Sequence, residues 1–465
     1  MTAADPAALH AAAVAVLRLN DLGTMTTAAP NLYPHMWSWD AAFVSIGLAR
    51  VNVPRAIVEL QTLLEAQWDT GMIPHIVFSD DEDTYFPDAD RWGTDVARAR
   101  PARRTSGICQ PPVHAIALQH ILERARENGG EDLARAERFA ADTCERWLAW
   151  HRWLGSARDP SGQGLVEIHH GWESGFDNSP RWDGPYARVR PGEVPPFVRR
   201  DTLHVGDVSE RPSDEEYRKY LWLLQQMQDV RYEDTAILDR IDFRVQDVFF
   251  SAIMAAASDA LAGIGHQLRR ADDADELTAL ADRFRSGVFG TVGADTGLAR
   301  DRDVLTGEWI AKATVAGFAP LICGAGGDPE REVVLVRQRR LLLGPDWMGH
   351  PSLRFPLPTS TSPTSEDYRQ RTYWRGPIWP FLNLLLGWAV ARDGQLELYG
   401  QLRRASLDQL ADLAFGEYYE PVTGEPLGSH AQSWTAAAAL EWLGREHQQP
   451  GTGVGVTAHE PAAGR

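Results

Sequence analysis

Apolar residues recur at helical spacing along almost the whole chain, and stretches that alternate apolar with polar are scarce. That pattern predicts an all-α protein in which strands are at most short hairpins. Helices are expected over 54–68, 111–128, 131–154, 213–230, 247–264, 273–289, 328–343, 376–392, 396–413 and 433–444, several opened by Ser, Asp or Pro where a helix start is capped. They are of two kinds. The segments 247–264 and 376–392 are apolar nearly all round and so belong in an interior, whereas 131–154 and 328–343 keep a charged face. Inner and outer helices interleaved along one chain suggest a two-layered helical toroid rather than a simple bundle. No 34-residue repeat points to a solenoid.

Three long connections, roughly 69–110, 155–212 and 343–375, are rich in Gly, Pro, Asp and aromatic residues. Loops of that length inside a compact domain usually carry function. They read as insertions in one domain spanning 1–447, and 448–465, which lacks any apolar period, reads as a disordered tail. The 465 residues suit one large or two medium domains, and 44% apolar with 24% charged residues is an ordinary globular balance. A net charge of −18 argues against nucleic acid or an anionic membrane as partner, and makes an anionic substrate a puzzle that only a local basic pocket could solve. Cys109, Cys144 and Cys323 are odd in number and far apart, which fits a reducing compartment and neither a disulfide frame nor a zinc site. The N-terminal "MTAADPAALHAAAVAVLRLND" has no basic leader and is broken by Arg18 and Asp21, so an amphipathic helix and a cytoplasmic location are expected. A homo-oligomer is left open.

Four clusters mix aromatic rings with charged or amide side chains beside helix starts: "NLYPHMWSWD" (31–40), "GWESGFDNSPRWD" (171–183), "TYWRGPIWP" (372–380) and "EYYEPVTGEPLGSHAQSWT" (417–435). Core packing would account for any single Trp. Its repetition beside Asp, Tyr, Arg and Gln suits a sugar better, because C–H faces stack on rings while hydroxyls meet polar groups. Cleaving a glycosidic bond needs two carboxyl groups on opposite sides of the anomeric carbon, one of them protonated. Asp177, flanked by Trp172, Phe176 and Trp182 with Glu173 nearby, has a setting that would raise its pKa. Glu417 opens a turn whose tyrosines and backbone amides could support an anion. Asp40 is equally open to two roles, helix N-cap and sugar ligand.

These stretches, with "TSGICQPPVHA" (105–115) and "RPSDEEYRKYLWLL" (211–224), resemble bacterial glucosylglycerate hydrolases of glycoside hydrolase family 63. The resemblance runs from about residue 15 to 444, and the string WESGxDNSPRWD is its most specific part. It implies an (α/α)6 barrel with long loops closing one end, and hydrolysis of an α-glucoside with inversion. It also implies Asp177 as general acid and Glu417 as general base. Around the glucosyl ring it places Tyr33, Trp37, Ser38, Trp39, Asp40, His75, Tyr85, Gln110, Trp172 and the backbone of Gly175, with Trp374 and Trp379 as further wall. Arg211 would meet the glycerate carboxylate, with Tyr217, Tyr373 and Gln432 around it. A guanidinium pairs with a carboxylate through two parallel hydrogen bonds, so Arg211 would resolve the charge puzzle. The competing fate for Arg211 is an ion pair with Asp214 or Glu215 on the adjoining helix.

Neither cofactor nor metal is expected. The acidic run "SDDEDTYFPDAD" (79–90) fails the EF-hand pattern, with Phe86 and Trp92 where Gly and Glu are required, and reads as a solvated loop. "EIHHGWE" (167–173) lacks zinc-site spacing and suits supporting hydrogen bonds. Mannosylglycerate, differing at one hydroxyl, is the nearest alternative substrate. A sugar epimerase or isomerase on the same toroid is disfavoured because its chemistry leans on paired histidines, and a non-catalytic sugar binder because both carboxyls are kept.

Overall fold

The structure is a computed structural model that describes residues 5–30, 32–79, 85–203, 207 and 210–444; the expected tail at 448–465 and the centre of the acidic run, 80–84, lie outside the described residues. Among the described residues twelve helices alternate between two layers, and others, including the expected one at Asp214–Asp229, lie in the connections. The outer helices are α1 (Pro6–Leu19), α3 (Val53–Glu65), α5 (Gly130–Ala157), α7 (Ala271–Gly290), α9 (Pro329–Leu342) and α11 (Leu396–Gln409). The inner ones are α2 (Ser38–Ala49), α4 (His114–Asn128), α6 (Val248–Gln267), α8 (Ala319–Cys323), α10 (Pro380–Arg392) and α12 (Ser433–Gly444). Each inner helix packs on the next, α2 on α4, α4 on α6, and so on to α12, which closes back on α2. The ring is an (α/α)6 barrel, as expected.

Composition explains the layers. All of α2 and nearly all of α6, α10 and α12 are buried, whereas α5 and α9 bury one stripe and expose their charges. The helix α6 is long and apolar enough to cross a membrane, yet it lies buried in the barrel. Small residues let the inner helices touch. A Cβ on Gly47 of α2 would fall 2.4 Å from the Ala437 backbone of α12, and one on Gly387 of α10 would fall 2.3 Å from the Trp442 ring. Caps set the starts: Asp247 accepts from the amides of Phe249 and Phe250 at the head of α6, and Asp328 from those of Glu330 and Arg331 at the head of α9.

The helix expected from 376 starts four residues later, at Pro380, because Ile378 bridges Tyr419, Trp379 is extended and proline suits the first turn. The helices α2 and α8 escaped the periodicity; α8 has five residues, too few to show a period. Strands are two or three residues long, but they are not all hairpins. Val166–Ile168, Val245–Asp247, Asp301–Asp303 and Trp309–Ile310 form one antiparallel sheet, with Val166 opposite Asp247 and Val245 opposite Asp303. Only its last pair is a hairpin; the others join segments distant in the chain, which no local pattern records. Met36–Trp37 pairs with Ile76–Val77, and Tyr418–Tyr419 with Pro426–Leu427.

The site follows from the barrel's polarity. Residues just before or at the starts of α2, α4, α10 and α12 face one cavity, so the inner N-termini share an end and the long connections meet there.

Candidate active site

The opening of that end is a cavity of about 760 Å³. The loop 155–212 supplies Asp177. Two short helical turns, Gly171–Ser174 and Pro180–Trp182, bracket the residue. Gly175 between them has φ of +74°, and a Cβ there would lie 2.2 Å from the Trp39 ring. Behind Asp177 the loop is clamped. Asn178 Oδ1 accepts from the Trp374 amide at 3.0 Å, Trp182 Nε1 donates to the Phe176 carbonyl at 2.9 Å, and Phe176 packs 4.3 Å from Trp374. Arg181, fully buried, donates to Asp301 at 2.7 Å and to Asp247 at 2.6 Å while lying over the Trp182 ring. That ion triad fixes the loop to the head of α6.

Burial pushes the Asp177 carboxyl up to about 7; Arg211 opposes the rise and Glu417 adds to it. Glu173, the neighbour expected to repel Asp177, does not act on it. Its carboxylate is held by Arg158 at 2.6 and 3.0 Å and by the His169 amide at 2.6 Å, so its charge is already answered. The histidines of "EIHHGWE" are likewise engaged: His169 sits between Arg158 and Glu167, and His170 accepts from the Trp172 amide at 3.0 Å. Among the described residues no three His, Cys, Asp or Glu side chains group as metal ligands.

Glu417 is held by the turn before α12. Its amide donates to the carbonyls of Leu427 and Ser429, and Trp434 Nε1 donates to its carbonyl at 3.3 Å. The side chain accepts three hydrogen bonds, from Tyr33 Oη at 2.9 Å and Tyr373 Oη at 3.2 Å on Oε1, and from the Ser429 amide at 3.0 Å on Oε2. Burial raises its pKa, while Arg211 and these three donors hold it down. Asp40 lies inside the first turn of α2, whose cap position is Trp37, so it is not an N-cap. It faces the cavity, and burial together with Glu417 and Asp177 pushes its carboxyl well above the usual range.

Arg211 does not pair with Asp214 or Glu215. Its Nη2 donates to Tyr33 Oη at 2.8 Å, its Nε lies 3.5 Å from Asp201, and its guanidinium carbon sits 4.4 Å from the Tyr373 ring centre. Its Nη1 is buried with no hydrogen-bond partner among the described residues, and the residue lines the cavity. It is Arg199 that reaches Asp214, at 3.2 Å.

The aromatic wall assembles largely as expected. Trp37 packs edge-on against Tyr33 and Tyr85, Trp172 stacks on His75, and all five residues line the cavity with Trp39 and Trp374. Gln110 lines it too, accepting from the Trp39 amide at 3.3 Å, and so do Gly175, Tyr373 and Gln432. Tyr217 lines it as well but donates its hydroxyl to the Phe86 carbonyl at 3.0 Å. Two expected residues are not at the surface of the cavity. Ser38 is wholly buried and bonds His114 Nε2 at 3.0 Å, tying the start of α2 to that of α4. Trp379 lies behind Trp374, parallel to it at 3.7 Å. Conversely, Phe86, Asp201, Tyr220 and Trp434 line the cavity without having been expected. Trp434 stood in a quoted cluster and could have been found; Asp201 had no local signal.

A carboxyl that burial pushes up to about 7, a second carboxylate held by three donors, and a buried guanidinium thus share one aromatic cavity. Such a set can protonate a leaving oxygen, deprotonate a water and hold an anionic aglycone.

Comparison with known proteins gives a consistent picture. Residues 33–435 match the family described as mannosylglycerate hydrolase MGH1-like glycoside hydrolase domain. The glucosylglycerate hydrolase of Mycolicibacterium hassiacum is 54% identical over 442 residues, 94% of this chain and 98% of that one. The mannosylglycerate hydrolase of Thermus thermophilus is 38% identical over 431 residues, 92% of this chain and 99% of that one. Among solved structures, a GH63 mannosylglycerate hydrolase from Thermus thermophilus in complex with Tris and D-glycerate is similar with a TM-score of 0.83 at 37% identity, covering 93% of this chain and 99% of that one.

Proposed function

The chain belongs to the mannosylglycerate hydrolase MGH1-like glycoside hydrolase family and is a glycoside hydrolase, and from that premise we propose that it hydrolyses 2-O-(α-D-glucosyl)-D-glycerate to glucose and glycerate with inversion. The observation that carries the reading is Arg211: a guanidinium lining the cavity that also holds Asp177 and Glu417, with its buried Nη1 lacking a hydrogen-bond partner among the described residues. A neutral disaccharide would not use that guanidinium as a charge partner, whereas a carboxylate on the aglycone would pair with it directly. The 54% identity to a glucosylglycerate hydrolase, against 38% to a mannosylglycerate hydrolase, favours glucose over mannose.

In this reading Asp177 gives its proton to the glycosidic oxygen as the bond to the anomeric carbon breaks. A water on the opposite ring face attacks that carbon and passes a proton to Glu417, and the α-linkage leaves as β-glucose. Tyr33 and Tyr373 keep Glu417 ionised and aimed. Asp40, whose carboxyl is pushed above the usual range, meets sugar hydroxyls, and the aromatic wall excludes other water. The 1–447 span acts as one catalytic unit. Cys109, Cys144 and Cys323 are all buried and unpaired, which supports the cytoplasm as the location.

The test is the sugar released at equal substrate concentration, glucose from glucosylglycerate and trehalose and mannose from mannosylglycerate. Glucosylglycerate turned over well above the other two supports the assignment; trehalose turned over best would sink it.

A further inference from the structure

Two arginines and one aspartate cluster at one wall of the cavity, Arg199 behind it, and their pairing is uneven. Arg199 grips Asp201 with a fork, Nε to Oδ1 at 3.0 Å and Nη2 to Oδ2 at 2.6 Å. Arg211 reaches the same carboxylate with Nε alone, at 3.5 Å. All three side chains are almost entirely buried, but Arg211 and Asp201 line the cavity whereas Arg199 does not. Arg199 is itself anchored: Nη1 donates to the Pro212 carbonyl, next to Arg211, and to Asp214 at 3.2 Å, and the guanidinium lies 4.8 Å over the Tyr217 ring.

We propose that Arg199 is a specificity-determining residue that never touches substrate: by claiming Asp201 through both oxygens it keeps Arg211 free for an anionic aglycone. The charges show why this is needed. Asp201 faces the same space as the substrate carboxylate and carries the same sign. With Arg199 in place, Asp201 is answered by Arg199, and Arg211 is shared between the Glu417 anion and the ligand. Without it, Asp201 closes on Arg211, so the cavity loses one positive charge and accepts an anion less well. Asp214, the other partner of Arg199, is exposed and screened by solvent, and cannot take Asp201's place. The inference rests on the aglycone reading above, in which Arg211 meets the carboxylate.

The experiment compares kcat/KM for glucosylglycerate with that for its methyl ester, a neutral aglycone of nearly the same shape. The wild-type enzyme, Arg199→Gln, Asp201→Asn, the double variant and Arg211→Gln are measured together. In Arg199→Gln the preference for the carboxylate falls about tenfold, mostly through KM, the scale on which one facing charge acts at a partly desolvated contact. Adding Asp201→Asn in that background restores most of the preference, and Asp201→Asn alone does not lower it. Loss on both substrates alike in Arg199→Gln, or no recovery in the double variant, overturns the proposal. Should Arg199→Gln not fold, a fall in preference in Asp201→Asn alone does the same. Arg211→Gln separates the two readings. If it keeps the wild-type preference, the aglycone site itself is misassigned; if it loses the preference while Arg199→Gln keeps it, only the role of Arg199 fails.

Discussion

Removing one hydroxyl, Tyr33→Phe, should move the acid limb of the pH–rate profile. Tyr33 Oη gives Glu417 Oε1 the shorter of its two tyrosine hydrogen bonds, 2.9 Å against 3.2 Å from Tyr373. Glu417 is 1% exposed, so little water can replace the lost donor. A hydrogen bond to a charged group is worth about 1.5–3 kcal/mol. One pKa unit corresponds to about 1.4 kcal/mol, so the Glu417 pKa should rise by about 1–2 units. The base must be ionised to take a proton from water, so activity appears as pH rises through its pKa. A higher pKa therefore shifts that limb upward and removes activity on the acid side. The alkaline limb belongs to Asp177, which answers to burial, Arg211 and Glu417 rather than to Tyr33, and it should stay near 7. The bell narrows from one side. Arg211 also loses an acceptor, so the height of the profile falls too; the position of the limb carries the test. The assay is kcat/KM against pH for wild type, Tyr33→Phe and Tyr373→Phe, with the smaller shift expected in the last. A lower profile whose acid limb has not moved would refute the claim that these hydroxyls hold the Glu417 anion.

Asp177→Asn and Glu417→Gln should each cost roughly 10²–10⁴-fold in kcat while substrate still quenches tryptophan fluorescence; more than a tenth of wild-type turnover in either contradicts the assignment. In the wild type, kcat/KM should fall as pH rises through about 7, because Asp177 must carry its proton, and an activity still rising there would remove it as the acid. Gly428→Ala places a Cβ 2.4 Å from Glu417 Oε2 at a φ of +71°, and should lower kcat on the order of 10²-fold in a folded protein by displacing the base. Arg181→Met strands Asp247 and Asp301 without their buried partner and should cost about 3–5 kcal/mol of stability, read from the urea midpoint; an unchanged midpoint means the triad does not hold the loop.

The barrel was legible in the sequence because its layers differ in composition: α6 and α10 have no polar face, and α5 and α9 keep one. The site was legible because the inner helices share a polarity. Four clusters of aromatic and charged side chains lay on or beside loops meeting at one barrel end, three of them just before α2, α10 and α12, so residues hundreds of positions apart converge without any pairwise signal. What the sequence misplaced depended on distant partners. Glu173 looked like a repelling neighbour of Asp177 until Arg158 neutralised it. Arg211 stood three residues from Asp214, but the arginine that reaches Asp214 is Arg199. Trp379 and Trp374 were indistinguishable as wall residues, and only the stack reveals which is in front. Asp40 was ambiguous because one helical turn separates a cap from a residue aimed into a cavity.

The most direct test of the central claim is proton NMR of the enzyme with glucosylglycerate, recording the first anomeric signal released. Early β-glucose, mutarotating later to the mixture, is the result expected if Glu417 activates water on the face opposite Asp177. Early α-glucose would make the enzyme retaining and contradict that arrangement.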